Sequence, residues 1–323
     1  MEPEDWEIPA NLQPHPDDYR FDLERALNAV VGLRANVPND AFTAGTLGTE
    51  RIGNGVVIRD DGLVLTIGYL IQEAESVWLI TADGRAVPGH PLAFDSNSGL
   101  GLVQALGRLD QPALELGDSE ALAVGGEAIM AAAGGRRHAI ETRIVSRQEF
   151  AGYWEYVLDN AIFIAPAHPF WSGSALISPD GKLLGTGSLI LQQGDGKRRT
   201  DMNMVVPVAV LRPVLDELLT LGRPKGPARP WLGVYAMEAE EGIVVGGLAE
   251  KGPAARAGIQ QGDRIIGVGD EDVSDLAALW RKVWQAGPAG STVLLRVGRE
   301  GARMAVRITS ADRQSFLRGP KLH

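Results

Sequence analysis

From Gly53 onward the chain is written as short apolar runs separated by tight-turn residues, and this punctuation restricts the fold more than any other feature. Val56-Val57-Ile58 leads through Asp60-Asp61-Gly62 into Leu63-Val64-Leu65-Thr66, and Val77-Trp78-Leu79-Ile80 leads into Asp83-Gly84. Asp and Gly tolerate the left-handed backbone that hairpins need. The same grammar continues through Ala161-Ile162-Phe163-Ile164, Ala175-Leu176-Ile177 with the turn Pro179-Asp180-Gly181, and Leu183 to Leu191. Strand-length pieces this close together leave no room for long helices between them, so a barrel or sandwich is expected. The 40 Gly and 19 Pro among 323 residues supply the turns such a fold requires.

Two stretches depart from this pattern on the N-terminal side. Leu23, Ala26, Leu27, Val30 and Val31 have helical spacing and run into the strand-like Val30-Val31-Gly32-Leu33. Val210, Leu211, Val214, Leu215, Leu218 and Leu219 predict a helix over Val208 to Leu221. Gly222 to Pro230 is then mostly Gly and Pro with Arg and Lys between, the composition of a linker. A second domain begins with Gly233-Val234-Tyr235 and ends in the alternating pair Val293 to Val297 and Met304 to Ile308. Between these, Leu276, Leu279, Trp280 and Val283 mark one face of a helix. The expected organisation is an arm over 1–24, a first domain over 25–221, a linker over 222–230, a second domain over 231–312 and a tail over 313–323.

The formal charge of −10 repels a phosphate backbone, so nucleic acid is not an expected partner. No apolar run approaches the roughly 20 residues that cross a bilayer. Met1 to Pro14 is polar and acidic, without the basic and apolar regions of a secretory leader. The expectation is a cytoplasmic protein if the chain is whole and a periplasmic one if it has been trimmed. The absence of Cys removes disulfides, thiolate chemistry and Cys-type zinc sites. No carboxylate cluster has a His at ligand spacing and no Gly-rich piece forms a phosphate loop, so neither a metal nor a cofactor is expected.

Gly242-Ile-Val-Val leads through Gly252-Pro-Ala-Ala-Arg-Ala-Gly258 to Gly262-Asp263-Arg264-Ile265-Ile266-Gly267-Val268. This succession resembles the bacterial PDZ pattern. Gly258 suits the left-handed residue just past a helix, and Ile265 and Val268 suit core positions. Trp231-Leu232-Gly233-Val234 resembles that family's carboxylate-binding loop, whose backbone N–H groups converge on a peptide's terminal carboxylate while the peptide adds as a strand. The helix over 275–284 would form the other wall, with Leu279 and Val283 as candidate groove residues. The partners implied are peptide or protein carboxyl termini.

The first domain resembles the trypsin-like half of the HtrA/Do-like serine proteases over about residues 25 to 215. Gly53-Asn54-Gly55-Val56-Val57-Ile58, Asp60-Asp61-Gly62 and Leu63-Val64-Leu65-Thr66 match its first hairpins. The implied fold is mainly β: a trypsin-like double β-barrel followed by an α+β PDZ domain. The family's catalytic His follows the Leu-Thr strand end, and here Tyr69 holds that place. Its Asp falls in Asp95-Ser96-Asn97-Ser98-Gly99-Leu100, where Gly99 stands instead. The nucleophile segment reads Phe170-Trp171-Ser172-Gly173-Ser174-Ala175-Leu176, which keeps Ser172. Asp201 to Pro207 resembles the last barrel strand.

A Ser hydroxyl attacks an amide only when a neighbouring base takes its proton and an acid orients that base. Tyr69, with a reference pKa of ~10, is protonated at neutral pH, and Gly99 offers no side chain. The oxyanion hole implied by the resemblance uses the amides of Phe170 and Ser172, and Phe170 replaces a Gly there. The reading is a protease homologue without activity that binds peptides. The alternative keeps Ser172 as a nucleophile with another base. Among His15, His90, His138, His168 and His323, His168 is nearest in sequence, although a loop His that caps its own turn is the plainer expectation. Trp171 is a candidate plug for the specificity pocket. The resemblance also implies a homo-trimer joined through the N-terminal region, where Tyr19, Phe21 and Phe42 are available.

Overall fold

The computed structural model of the protein describes residues 6–194 and 199–319. His323 and the opening of the N-terminal arm lie outside these residues. The chain divides into two compact units. The first contains the chain up to Gln148 together with Asn160–Pro224, and the second contains Glu149–Asp159 together with Lys225–Arg318. Linear domain ranges have no means of assigning the Glu149–Asp159 segment to the second unit.

The first unit is built on two closed barrels. Strands β1 (Val30–Asn36), β2 (Glu50–Arg59), β3 (Leu63–Ile67), β4 (Ser76–Ile80), β5 (Ala86–Phe94) and β6 (Leu100–Ala105) run in the order β1-β2-β3-β6-β5-β4. Antiparallel pairing of β1 with β4, Leu33 opposite Leu79, closes the ring. The second barrel has β7 (Glu127–Ala131), β8 (Ala139–Gly152), β9 (Tyr156–Ala165), β10 (Ala175–Ile177), β11 (Leu183–Gln193) and β12 (Thr200–Pro207), in the order β10-β11-β12-β9-β8-β7. Its core takes Met130, Ile140, Ile144, Ile162, Ile164, Leu176, Leu184 and Val205. Strand β8 shows why these residues form a barrel wall. Ile140, Thr142 and Ile144 are buried while Glu141 and Arg143 between them are exposed, and Arg143 bonds Glu127 on the facing strand at 2.6 Å.

The helical expectations are met in part. Helix α1 (Leu23–Asn28) is capped by Asp22, whose carboxylate accepts the Arg25 amide at 2.9 Å. The chain then turns into β1, where the β-branched Val30 and Val31 are fully buried. A short helix, α2 (Ala44–Leu47), lies between β1 and β2. The helix predicted over Val208 to Leu221 is broken: a 3₁₀ turn covers Val208–Val210 and α3 begins only at Leu215, running to Leu221. Pro213 accounts for the break, because it disfavours helical geometry at Arg212 and has no amide to donate. Gly222, at φ 70°, ends α3 in the left-handed region.

The second unit carries β13 (Val234–Ala239), β14 (Gly242–Leu248), α4 (Pro253–Arg256), β15 (Arg264–Val268), β16 (Glu271–Asp272), α5 (Leu276–Gln285), β17 (Thr292–Arg299) and β18 (Ala302–Thr309). The sheet runs β13-β14-β15-β17-β18, with β16 paired to β15. Asp275 caps α5 by accepting the Ala278 amide at 2.8 Å. Leu279, Trp280 and Val283 of α5 are fully buried with Ile265, Val293, Leu295 and Val297. The sheet and α5 thus share one core, which the helical spacing of the sequence anticipates. Val157, from the Glu149–Asp159 segment, joins that core.

Candidate active site and peptide groove

The two barrels bring Tyr69, Gly99 and Ser172 together. Strand β3 runs directly into a 3₁₀ turn over Gly68–Leu70 that carries Tyr69. Pairing of β3 with β6 sets Gly99 beside that turn, and the Gly68 amide donates to the Gly99 carbonyl at 2.7 Å. Gly99, at φ 79°, closes a turn whose other end is Asp95. The Asp95 carboxylate accepts the Asn97 and Ser98 amides and the Ser98 hydroxyl, so it serves its own loop.

Ser172 Oγ lies 2.8 Å from the Tyr69 hydroxyl, which is also 2.8 Å from the Ser188 carbonyl oxygen. A phenol has one proton, and a carbonyl can only accept it. Tyr69 therefore donates to Ser188, and Ser172 donates to Tyr69. Burial pushes the Tyr69 phenol up to about 12, against the hydrogen bonds from Ser172 and Trp171 that pull it down. The group facing the serine proton is thus a neutral phenol throughout the ordinary pH range.

His168 does not reach Ser172. Its ring is fully buried, and Nδ1 accepts the Phe170 amide at 3.0 Å. Nε2 therefore carries the proton and donates it to the His138 carbonyl at 3.0 Å. Burial pushes the imidazole down to about 4, with the neighbouring His138 adding to the effect and the backbone bonds opposing it. His168 is a neutral brace for the loop that precedes the serine. The same bond occupies the Phe170 amide, which the oxyanion arrangement needs pointing at the substrate.

Asn54, which the sequence offers only as part of a Gly-Asn-Gly strand entry, organises this loop. Its Nδ2 lies 3.1 Å from the Phe170 carbonyl, 3.0 Å from that of Ser172 and 3.1 Å from Ser174 Oγ, and its Oδ1 accepts the Ala133 amide at 2.9 Å. Ser174 also donates to the Phe170 carbonyl. A poor strand former between two glycines is the signal that could have singled it out. Gly173, at φ 76°, lies so close to the Asn54 carbonyl that a Cβ would collide with it. A cleft of about 390 Å³ opens between the barrels, lined by Arg34, Ile52, Asn54, His138, Phe170, Trp171 and Ser172. Trp171 lines this cleft beside the serine.

In the second unit, the amides of Leu232, Gly233 and Val234 converge on one point, as the loop resemblance implies. The point is filled by the Glu155 carboxylate: Oε1 lies 3.1 Å from the Leu232 amide, 2.7 Å from Gly233 and 3.0 Å from Val234. Gly233 has φ 76°, and a Cβ there would sit 3.0 Å from the Ala249 Cβ and 3.1 Å from the Trp231 ring. Trp231 itself is buried. Leu279 and Val283, named from the sequence as groove residues, are fully buried in the core that α5 shares with the sheet. Burial pushes Glu155 up to about 7, opposed by the Val234, Leu232 and Gly233 amides and by Arg313.

The comparisons with known proteins accord with this architecture. Residues 53–185 match a trypsin-like peptidase domain and residues 230–309 match a PDZ domain. A probable periplasmic DegP-like serine endoprotease of Halomonas elongata is 27% identical over 277 residues, covering 81% of this chain and 56% of the relative. The periplasmic serine endoprotease DegP of Escherichia coli is 27% identical over 274 residues, covering 80% and 56%. The chain thus spans about half the length of the curated relatives it matches. Among solved structures, the HtrA-type protease AlgW with a decapeptide is similar at TM-score 0.54 and 21% identity, covering 93% of this chain and 98% of that one. The serine endoprotease of Yersinia pestis is similar at TM-score 0.52 and 22% identity, covering 90% and 98%. With two closed barrels and a PDZ sheet in the expected order, the chain carries a trypsin-like peptidase domain followed by a PDZ domain, and its homologues and structural neighbours are serine proteases of the HtrA/DegP type.

Proposed function

We propose that the barrel unit is a pseudoprotease and that the protein works as a peptide-binding module through its PDZ domain, an adaptor or sensor of exposed chain ends. One observation carries the first half. The position that must supply a base to Ser172 holds Tyr69, whose only proton is already committed to the Ser188 carbonyl. Gly99 supplies no acid, and the Phe170 amide is committed to His168. Removing any one member of a triad lowers turnover by orders of magnitude, and this site lacks two members and one oxyanion donor.

The second half rests on the convergent amides of Leu232, Gly233 and Val234, which are built to hold a carboxylate. A serine-reactive fluorophosphonate probe and an unfolded casein substrate test the first half. Neither labelling of Ser172 nor hydrolysis is expected. Labelling that disappears in Ser172→Ala would establish the alternative, an endopeptidase like the relatives' names describe. Those relatives are named as periplasmic, and we carry that compartment over in place of the cytoplasmic expectation. Among the described residues no helix is long and apolar enough to cross a membrane. The trimer is carried over from the family resemblance alone. Tyr19 and Phe21 do not support it specifically, since their rings pack together at 5.4 Å and the Tyr19 hydroxyl donates to Glu141 at 2.9 Å.

A further inference from the structure

The carboxylate at the Leu232–Val234 loop belongs to the chain itself. Glu155 is seated as a ligand would be, with three successive amides on one of its oxygens and the Leu232 amide shared with the other at 3.1 Å. It is buried and adopts φ 61°, a backbone region that non-glycine residues rarely enter unless surrounding contacts hold them. Two residues earlier, the Tyr153 carbonyl accepts the Ala236 amide at 2.9 Å. Ala236 lies on β13, the edge strand of the sheet, so the segment makes the kind of main-chain bond that an added strand makes. One residue further back, the Gly152 carbonyl accepts the Trp280 indole N–H from α5 at 2.8 Å. On the next residue of α5, Arg281 pairs with Glu149 and Asp159 at the two ends of the segment. The groove between β13 and α5 is therefore filled along its length, from its carboxylate loop to its charged rim.

We propose that Gly152–Glu155 is an internal ligand of the PDZ groove, with the Glu155 carboxylate standing where a peptide's terminal carboxylate would stand, so that the groove admits a peptide only when this segment leaves. The proposal rests on the peptide-binding reading above. It defines the partner as a chain with a free carboxyl end that competes for the same three amides. An internal or amidated peptide without an equivalent carboxylate gains nothing from displacing Glu155. It also makes the apparent affinity smaller than the intrinsic one by the fraction of molecules with the groove open.

The experiment uses the full chain, as wild type, Glu155→Gln and Glu155→Ala. Hydrogen exchange is followed at the Leu232, Gly233, Val234 and Ala236 amides without any peptide. Binding is then measured by fluorescence anisotropy with a pool of fluorescein-labelled random octapeptides carrying free carboxyl ends, and with the same pool amidated. We expect the four amides to be protected in the wild type and to exchange at least about tenfold faster in the variants. The free-carboxyl pool should bind the variants at least about tenfold more tightly than the wild type, and the amidated pool should show no such gain. Equal exchange in wild type and Glu155→Gln would overturn the internal-ligand proposal whatever the peptides do. Fast exchange in both variants with no binding of the free-carboxyl pool would sink the peptide-binding reading and leave the occupancy itself established. The conservative Gln variant keeps the test valid if Glu155→Ala fails to fold.

Discussion

The Tyr69 hydroxyl and Ser172 Oγ are 2.8 Å apart, with the serine as the donor because the tyrosine proton is directed at the Ser188 carbonyl. The arrangement has the spacing of a nucleophile and its base but runs its proton into a group that does not take it. A two-fold repair, Tyr69→His with Gly99→Asp, restores the types of side chain that a triad uses. It leaves the Phe170 amide bonded to His168 Nδ1. Adding Phe170→Gly to the pair is expected to raise casein hydrolysis by about 10²–10³-fold over the pair alone, the usual worth of one oxyanion donor. Steady-state kinetics of the two combinations decide it, and equal rates would mean that the Phe170 amide is not the limiting deficit.

His168 gives the barrel unit a dependence on acid. Its folded-state value lies near 4, below the ordinary 6.5, because burial disfavours the charged ring. For a base shifted downward, the stabilisation is fully present above about 6.5 and is lost as pH falls toward 4. A shift of this size is worth on the order of 3 kcal/mol. Protonation also puts a hydrogen on Nδ1, which then can no longer accept the Phe170 amide. Thermal melting of wild type and His168→Gln should converge as the pH is lowered through this window; parallel curves would show that the ring titrates freely.

Asn54 ties β2 to the serine loop through side-chain hydrogen bonds to Phe170, Ser172 and Ser174. Asn54→Ala leaves the Ala133 amide without its partner, while the Phe170 carbonyl keeps Ser174 Oγ and the Ser172 carbonyl keeps the backbone amide of residue 54. The expected loss is roughly 1–3 kcal/mol, the cost of one polar group left without a partner. Urea unfolding followed by intrinsic Trp fluorescence measures it, and a change below about 1 kcal/mol would indicate that water fills the gap.

At Gly233 the backbone sits at φ 76° with Ala249 and Trp231 against it. Gly233→Ala is expected to destabilise the second unit by about 1–2 kcal/mol through left-handed strain alone. The new methyl should also displace the loop and lower retention of the Glu155 carboxylate. Faster exchange of the Leu232 and Val234 amides than in the wild type checks the second effect.

Much of this was legible in the sequence because its signals are local. The turn triplet Asp60-Asp61-Gly62 lies between β2 and β3, and the spacing of Leu276, Leu279, Trp280 and Val283 became the buried face of α5. Strand β8 carries a clear alternation, yet its polar half hid it among charged residues. The Val208 to Leu221 helix failed at Pro213, where a local rule outweighed the apolar period. Apart from the glycines flanking Asn54, nothing local marked Asn54 or Glu155, whose side-chain hydrogen-bond partners are 77 to 120 residues away along the chain.

The sequence by itself determined the strand-and-turn architecture, the PDZ pattern and the identity of Tyr69, Gly99 and Ser172, because hydrophobic period and turn chemistry act over a few residues. Only the tertiary structure decided where protons and amides point. His168 turns its two nitrogens to backbone groups, Tyr69 spends its hydrogen on Ser188, and Glu155 fills the carboxylate loop. Hydrogen bonds are directional and join residues distant in the chain, so the direction of a side chain follows from the packing of whole elements and not from its neighbours in sequence.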